Sequence, residues 1–226
     1  MRGRKKININ VQALKKSYPQ EKGAVRLFFE DEASFARVST PKHCWAAKGV
    51  RPVIQSQGVL CFVEVFGAVE PETGDFFYKV TEREKPIKKK AGRRRDGETA
   101  ETVMPKLKEK GRKSRLMNEF MQKLCDKYPN DLIILVCDNA GWHKSQYTVI
   151  PERLTLLHIP PYTPEMNPIE QLWREIRTSG FYNKYFDTIE KAKTNLRVTI
   201  NKIPIETIKS ITQRKWIMEC VKSDSA

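Results

Sequence analysis

Residues 25–31 read VRLFFED and residues 132–138 read LIILVCD, two apolar runs that each close on an aspartate. Side chains alternate between the two faces of a strand, so Val25, Leu27 and Phe29 share a face with Asp31. By the same count Leu132, Ile134 and Val136 share a face with Asp138. Both runs are apolar on both faces, the signature of interior strands in a covered sheet. A carboxylate at the exit of such a strand stands where ligands bind in open α/β sheets, beyond the strands' carboxyl ends. If the two strands are parallel neighbours, Asp31 and Asp138 lie side by side.

Working outward, Val59–Val69 (VLCFVEVFGAV) and Asp75–Val80 (DFFYKV) read as strands joined by a turn at Pro71-Glu72-Thr73-Gly74. Residues 44–54 suggest a short strand and a glycine-centred turn. Leu116, Phe120, Met121 and Leu124 recur at helical spacing over 114–127. A short helix is expected within 138–152 and a strand at 154–159. From 167 to 214 the pattern is mostly helical, with one apolar stripe at Ile169, Leu172, Trp173 and Ile176 and another at Ile189, Ala192 and Leu196. The expected fold class is α/β, a mixed five-stranded sheet flanked by helices in one layered domain over 23–215. Residues 1–22 are expected to form a basic arm or a short helix, and 216–226 a C-terminal tail.

The chain has 226 residues, with 42 Lys and Arg against 27 Asp and Glu, a formal charge of +15. A globular protein with that balance is built to meet a polyanion. The excess is concentrated: residues 79–115 hold 15 basic and 6 acidic side chains. The core of this stretch, 82–113, reads as a basic insertion whose Lys88, Lys89, Lys90, Arg93, Arg94 and Arg95 suit backbone phosphates. The longest apolar run, Leu132–Cys137, is far too short to cross a bilayer, and no secretory signal is visible, so a cytoplasmic protein is expected. The five cysteines form no CxxC pair and support neither a disulfide framework nor a structural zinc site by spacing. Neither GxxxxGK[ST] nor GxGxxG occurs, which sets aside P-loop and dinucleotide chemistry.

A third carboxylate, Glu170, lies in PPYTPEMNPIEQLW, where Asn167 fits a helix N-cap and Pro168 the first helical position. Alone, Glu170 reads as half of a capping box. With two strand-end aspartates it reads as one of a trio able to hold two Mg²⁺ or Mn²⁺ ions for phosphodiester chemistry, since hard cations prefer carboxylate oxygen. Two carboxylates about 4 Å apart repel by roughly 4 kcal/mol at an effective dielectric near 20, so a trio without a cation is costly. Asn139 and His143 are candidates to orient Asp138 or touch DNA, Asn167 to support the carboxylates or lie near DNA, and Arg177 to meet a phosphate. Glu30 and Glu32 fall on the opposite strand face and read as structural or as supports just behind the metal-binding residues, and Trp173 reads as core.

The segments FFEDEASF (28–35), CDNAGWHKS (137–145) and PPYTPEMNPIEQLWREIR (160–177) resemble the three signature blocks of DDE transposases, more narrowly the mariner-like superfamily on its bacterial insertion-sequence branch. The resemblance spans about residues 25–200. It implies an RNase H-like domain that binds two Mg²⁺ or Mn²⁺ ions and cuts and rejoins double-stranded DNA at element ends, with Asp31, Asp138 and Glu170 as the catalytic, metal-binding triad. It makes a homodimer plausible. No helix-turn-helix domain precedes the strands, so a separate helix-turn-helix subunit or upstream domain is expected to read the element ends. The 31 residues between Asp138 and Glu170 are slightly fewer than is usual in that family, and the basic insertion is longer. An inactive DNA-binding remnant and another RNase H-like nuclease are the alternative readings.

Overall fold

The computed structural model describes residues 2–19, 23–37, 42–53, 61–82 and 111–222. Five strands, β1 (Val25–Ala36), β2 (Phe62–Glu70), β3 (Asp75–Glu82), β4 (Leu132–Cys137) and β5 (Leu154–His158), form one sheet in the order β3-β2-β1-β4-β5. The first three pair antiparallel, while β4 and β5 run parallel to β1, giving the mixed sheet expected. Antiparallel neighbours need only a short connection, which Pro71–Gly74 supplies between β2 and β3, with Gly74 at φ 76°. The parallel step from the β1–β3 meander to β4 needs a crossover, and α2 (Arg112–Lys127) provides it.

Helices cover both faces. On one, α2 lays Met117, Phe120, Met121 and Leu124 against Phe28, Phe66, Ile133 and Leu135. On the other, α3 (Ile169–Gly180) buries Ile169, Leu172, Trp173 and Ile176 against Phe29, Phe35, Val65 and Ile134. Helices α4 (Ile189–Lys202) and α5 (Ile205–Thr212) extend that layer. Among the described residues no helix is long and apolar enough to cross a membrane.

The N-terminal segment takes the second of its two expected forms, a helix, while the C-terminal segment departs from the expected tail. Residues 2–17 form helix α1 (Arg2–Ser17), with Ile7 and Val11 buried rather than extended as an arm. The expected tail is helix α6 (Lys215–Lys222), whose Ile217 and Cys220 are fully buried. The two pack together, Gln12 Nε2 donating to the Cys220 carbonyl at 2.9 Å, and Trp216 meets Phe29 edge-to-face. The N-terminal helix is polar over most of its length and the C-terminal one has only eight residues, so burial of a few apolar side chains against the sheet layer decides both. Residues 42–53 contain no strand, only a turn at Lys48-Gly49. The basic insertion expected at 82–113 lies outside the described residues apart from its ends, which belong to β3 and α2, and with it Lys88, Lys89, Lys90, Arg93, Arg94 and Arg95.

Gly67 sits mid-strand in β2, opposite Asp31. A methyl group there would come within 2.6 Å of the Trp173 ring and 2.9 Å of Phe76. Glycine is thus what admits the indole to the sheet surface. Gly67→Ala is expected to lower stability by about 1–3 kcal/mol, the usual effect of overpacking a full core. Chemical denaturation checks this; an unchanged midpoint would show that Trp173 yields without cost.

Candidate active site

Strand β1 does not end at Asp31, as its apolar run implied, but continues to Ala36. What ends is its neighbour: the parallel pairing of β1 with β4 stops at Phe29–Val136. Asp31 and Asp138 both stand just past that last pair, one still paired with β2 and the other on the loop leaving β4. This split of the sheet opens a cleft of about 360 Å³ lined by Asp31, Asp138, Asn139 and Glu170, with the Pro160–Pro164 loop and Asn167 closing it. The three carboxylates, drawn from one strand, the loop after another and a helix, meet in one cavity.

Each is positioned differently. Asp31 is largely buried, and Trp173 Nε1 donates to its Oδ2 at 3.2 Å. Burial first, then the negative charge of Glu170, pushes the Asp31 carboxyl up to about 7. Asp138 closes a tight turn, its Oδ1 accepting from the Ala140 amide at 2.9 Å, and His143 Nε2 lies 3.1 Å from the same oxygen. His143 is 3% exposed, and burial pulls its imidazole down to about 4, so the ring is neutral at pH 7 and its Nε2–H donates to the carboxylate. Its backbone is held in the 3₁₀ turn Gly141–Lys144. Glu170 stands exposed in the first turn of α3.

The start of α3 corrects the sequence expectation by one residue. Pro168, not Asn167, is the N-cap, and the helix begins at Ile169. Asn167 ends a 3₁₀ turn (Pro164–Met166), is 5% exposed, and donates from Nδ2 to the Glu30 carbonyl at 2.8 Å. Its Oδ1 accepts from Ile169 N at 3.4 Å. Asn167 therefore ties the first turn of α3 to β1 next to Asp31, which sets Glu170 relative to that aspartate. Among the described residues no hydrogen bond runs from the Glu170 carboxylate back to its own cap, so the capping-box reading is not realised.

Of the remaining candidates, Asn139 is exposed and lines the cleft, while Arg177 lies 5.2 Å over the Phe35 ring and does not line it. Sequence reasoning missed the polar use of Trp173, which is both core and a donor to Asp31. An interior glycine in a strand pattern, Gly67, was the available signal. It also missed Tyr162, fully exposed on the cleft wall and held at φ 60°, a left-handed backbone uncommon for a residue with a side chain.

The donor set suits divalent cations. Among the described residues the cleft lining carries three carboxylates and no Lys, Arg or His side chain to balance them. Clustered, partly buried oxygens without a counter-charge are what a hard cation requires. The shifts carry a pH consequence. Glu30 is held well above the ordinary carboxylate range, and Asp31 and Glu32 are held near 7, burial being the largest cause for each. Between about pH 4 and 7 the folded protein keeps protons that the unfolded chain has released, so stability falls as pH rises through that window. In EDTA the melting temperature is expected to be higher at pH 6 than at pH 8; the reverse order would show these acids ionised throughout.

A five-stranded mixed sheet, helices on both faces and three acidic side chains at the split between central strands define the RNase H-like class. Residues 97–193, which include Asp138 and Glu170, match the family described as DDE superfamily endonuclease. The fold is similar to that of part of the Mos1 mariner transposase. The paired-end complex with Mn superposes with a TM-score of 0.61 at 16% identity, covering 100% of this chain and 62% of that one. The isolated Mos1 catalytic domain gives 0.51 at 15% identity, covering 99% and 94%. Uncharacterized protein y4pE/y4sA of Sinorhizobium fredii (strain NBRC 101917 / NGR234) is 33% identical over 85 residues, 37% of this chain and 63% of that relative. The chain thus spans somewhat under two thirds of the length of these full relatives.

Proposed function

We propose that this chain is the catalytic domain of a DDE transposase, cleaving and joining DNA strands at mobile-element ends with Mg²⁺ or Mn²⁺ bound by Asp31, Asp138 and Glu170. The observation that carries it is the convergence of these three carboxylates, spread over 139 residues of the chain, in one cleft that, among the described residues, has no cationic side chain in its lining. When bound, a pair of such ions activates the attacking water or 3′-hydroxyl and stabilises the leaving oxygen. The chain's own part is placement. Trp173 fixes the Asp31 carboxylate, His143 and the Ala140 amide fix Asp138, and Asn167 sets the helix that presents Glu170. Holding the groups before the reaction removes the entropy cost of assembling them.

DNA as substrate is supported by the net charge of +15, which favours a phosphate polyanion by releasing its counterions. A solved structure of similar fold, the Mos1 transposase paired-end complex, holds a left transposon end. Reading of particular ends, a dimeric assembly and a helix-turn-helix partner belong to the same proposal.

Thermal melting tests the metal site directly. Millimolar Mn²⁺ is expected to raise the melting temperature of the wild-type chain, since a ligand at about 100 times its Kd adds about 2.7 kcal/mol. The Asp31→Asn/Asp138→Asn double variant is expected to show no such rise. An equal rise in both would place the ion elsewhere. Joining of a cut 3′ end to target DNA separates a transposase from a simple nuclease, and salt-sensitive DNA binding with no metal-dependent cleavage would identify a binding remnant instead.

A further inference from the structure

Strand alternation puts Glu30 on the sheet face opposite Asp31, under α2 rather than α3, and Cys137 emerges on that same face next to Leu135. His143 reaches the pair from the 3₁₀ turn after β4. One donor atom from each of Glu30, Cys137 and His143 lies within 4.8 Å of the others, and the three residues are 1%, 0% and 3% exposed.

We propose that Glu30, Cys137 and His143 form a second metal site, of the zinc class, behind the Asp31–Asp138–Glu170 cleft, and that its ion fixes His143 against Asp138. Three observations support it. First, both oxygens of the Glu30 carboxylate are buried and accept no hydrogen bond among the described residues. A carboxyl group withdrawn from water without a partner is costly, and a cation supplies the missing partner. The surrounding charge adds to the demand: Glu32, Asp31 and Asp138 all act on Glu30 with the same sign, and Lys113 is the cation opposing them.

Second, the donor types select the ion. Sulfur and imidazole nitrogen with one carboxylate suit Zn²⁺, whereas Mg²⁺ prefers oxygen alone. Donors around a tetrahedral zinc, at about 2.0–2.3 Å from it, stand roughly 3.5 Å apart, so side-chain adjustments of about an ångström close the site. Three protein ligands leave the fourth position for water.

Third, the outer contact is in place. A metal-bound histidine almost always gives its other ring N–H to a carboxylate, which sets its tautomer and orientation. Here that carboxylate is Asp138, 3.1 Å from Nε2, so a metal would take Nδ1, which is buried. The same imidazole would join the two sites: an ion on Nδ1 stiffens the ring that aims the Asp138 carboxylate into the cleft. Sequence spacing could not show this, because residues 30, 137 and 143 match no zinc-binding pattern.

The site is tested on the full chain, stripped with a chelator and titrated with Co²⁺, then with Zn²⁺. One equivalent of Co²⁺ is expected to give a near-ultraviolet thiolate-to-cobalt charge-transfer band, which Zn²⁺ abolishes. Cys137→Ser should lose the band. Glu30→Gln, which keeps the shape and removes the unpartnered charge, should keep the metal-free fold and weaken Co²⁺ binding more than the roughly 10–100-fold typical of losing an outer contact. The Asp31→Asn/Glu170→Gln variant should retain the band, which separates this site from the cleft even if the cleft proves inactive. Absence of the band in the wild type, its persistence in Cys137→Ser, unaltered Co²⁺ affinity in Glu30→Gln, or its loss in the Asp31/Glu170 variant would each overturn the proposal.

Discussion

Asp31→Asn, Asp138→Asn and Glu170→Gln are each expected to reduce Mn²⁺-supported nicking of supercoiled DNA by about a thousandfold or more, while each variant stays folded. The magnitude follows from the role: stabilising transition-state charge on a phosphoryl oxygen is worth several kcal/mol, and about 4 kcal/mol is a factor of roughly a thousand. The substitutions keep side-chain shape, so loss of activity reports loss of charge. Stability should move the other way for Asp31→Asn. Its carboxyl is held up to about 7 by burial and by Glu170, so the neutral amide removes a repulsion that the metal-free protein carries above that pH. A variant that is more stable at pH 8 yet inactive would be the expected pair of results. Cleavage at the wild-type rate by any of the three would end the assignment of that residue, and by all three the reading of the cleft as a catalytic centre.

The second large effect is expected at Asn167, a residue that need not touch DNA. Asn167→Ala removes the donor to the Glu30 carbonyl, which is buried, and leaves that acceptor unpaired at a cost of about 1–3 kcal/mol. It also frees the first turn of α3 to shift against β1. A displacement of about 1 Å in a reacting group can cost about a hundredfold in rate, so kcat should fall by that order with little change in DNA affinity. Melting and cleavage measured on one preparation check both halves. Lost stability with normal kcat would mean that Glu170 is placed by the apolar face of α3 alone, through Leu172, Trp173 and Ile176.

The central part of the fold could be read along the chain because its signals are local. Alternation in VRLFFED and LIILVCD marks buried strands, and the stripe Ile169, Leu172, Trp173, Ile176 marks a helix on a sheet. Local signals failed where burial comes from distant partners. Helix α6 owes its existence to Ile217 and Cys220 meeting α1 and the sheet layer, contacts some two hundred residues apart in sequence. The one-residue error at Asn167 has a similar origin. Its Oδ1 does accept from Ile169 N, but the helix starts one residue later, while Nδ2 is committed to the Glu30 carbonyl, 137 residues away.

The sequence by itself determined which side chains share a strand face, because the period of two is a property of the backbone, and so it paired Asp31 with one face and Glu30 with the other. Only the tertiary structure decided which strands are neighbours and where their pairing stops. That stop, at Phe29 and Val136, is what opens the cleft, brings Glu170 into it across α3, and gathers Glu30, Cys137 and His143 behind it. The physical reason is that convergence depends on long-range packing of the sheet and its helices, which no local period encodes.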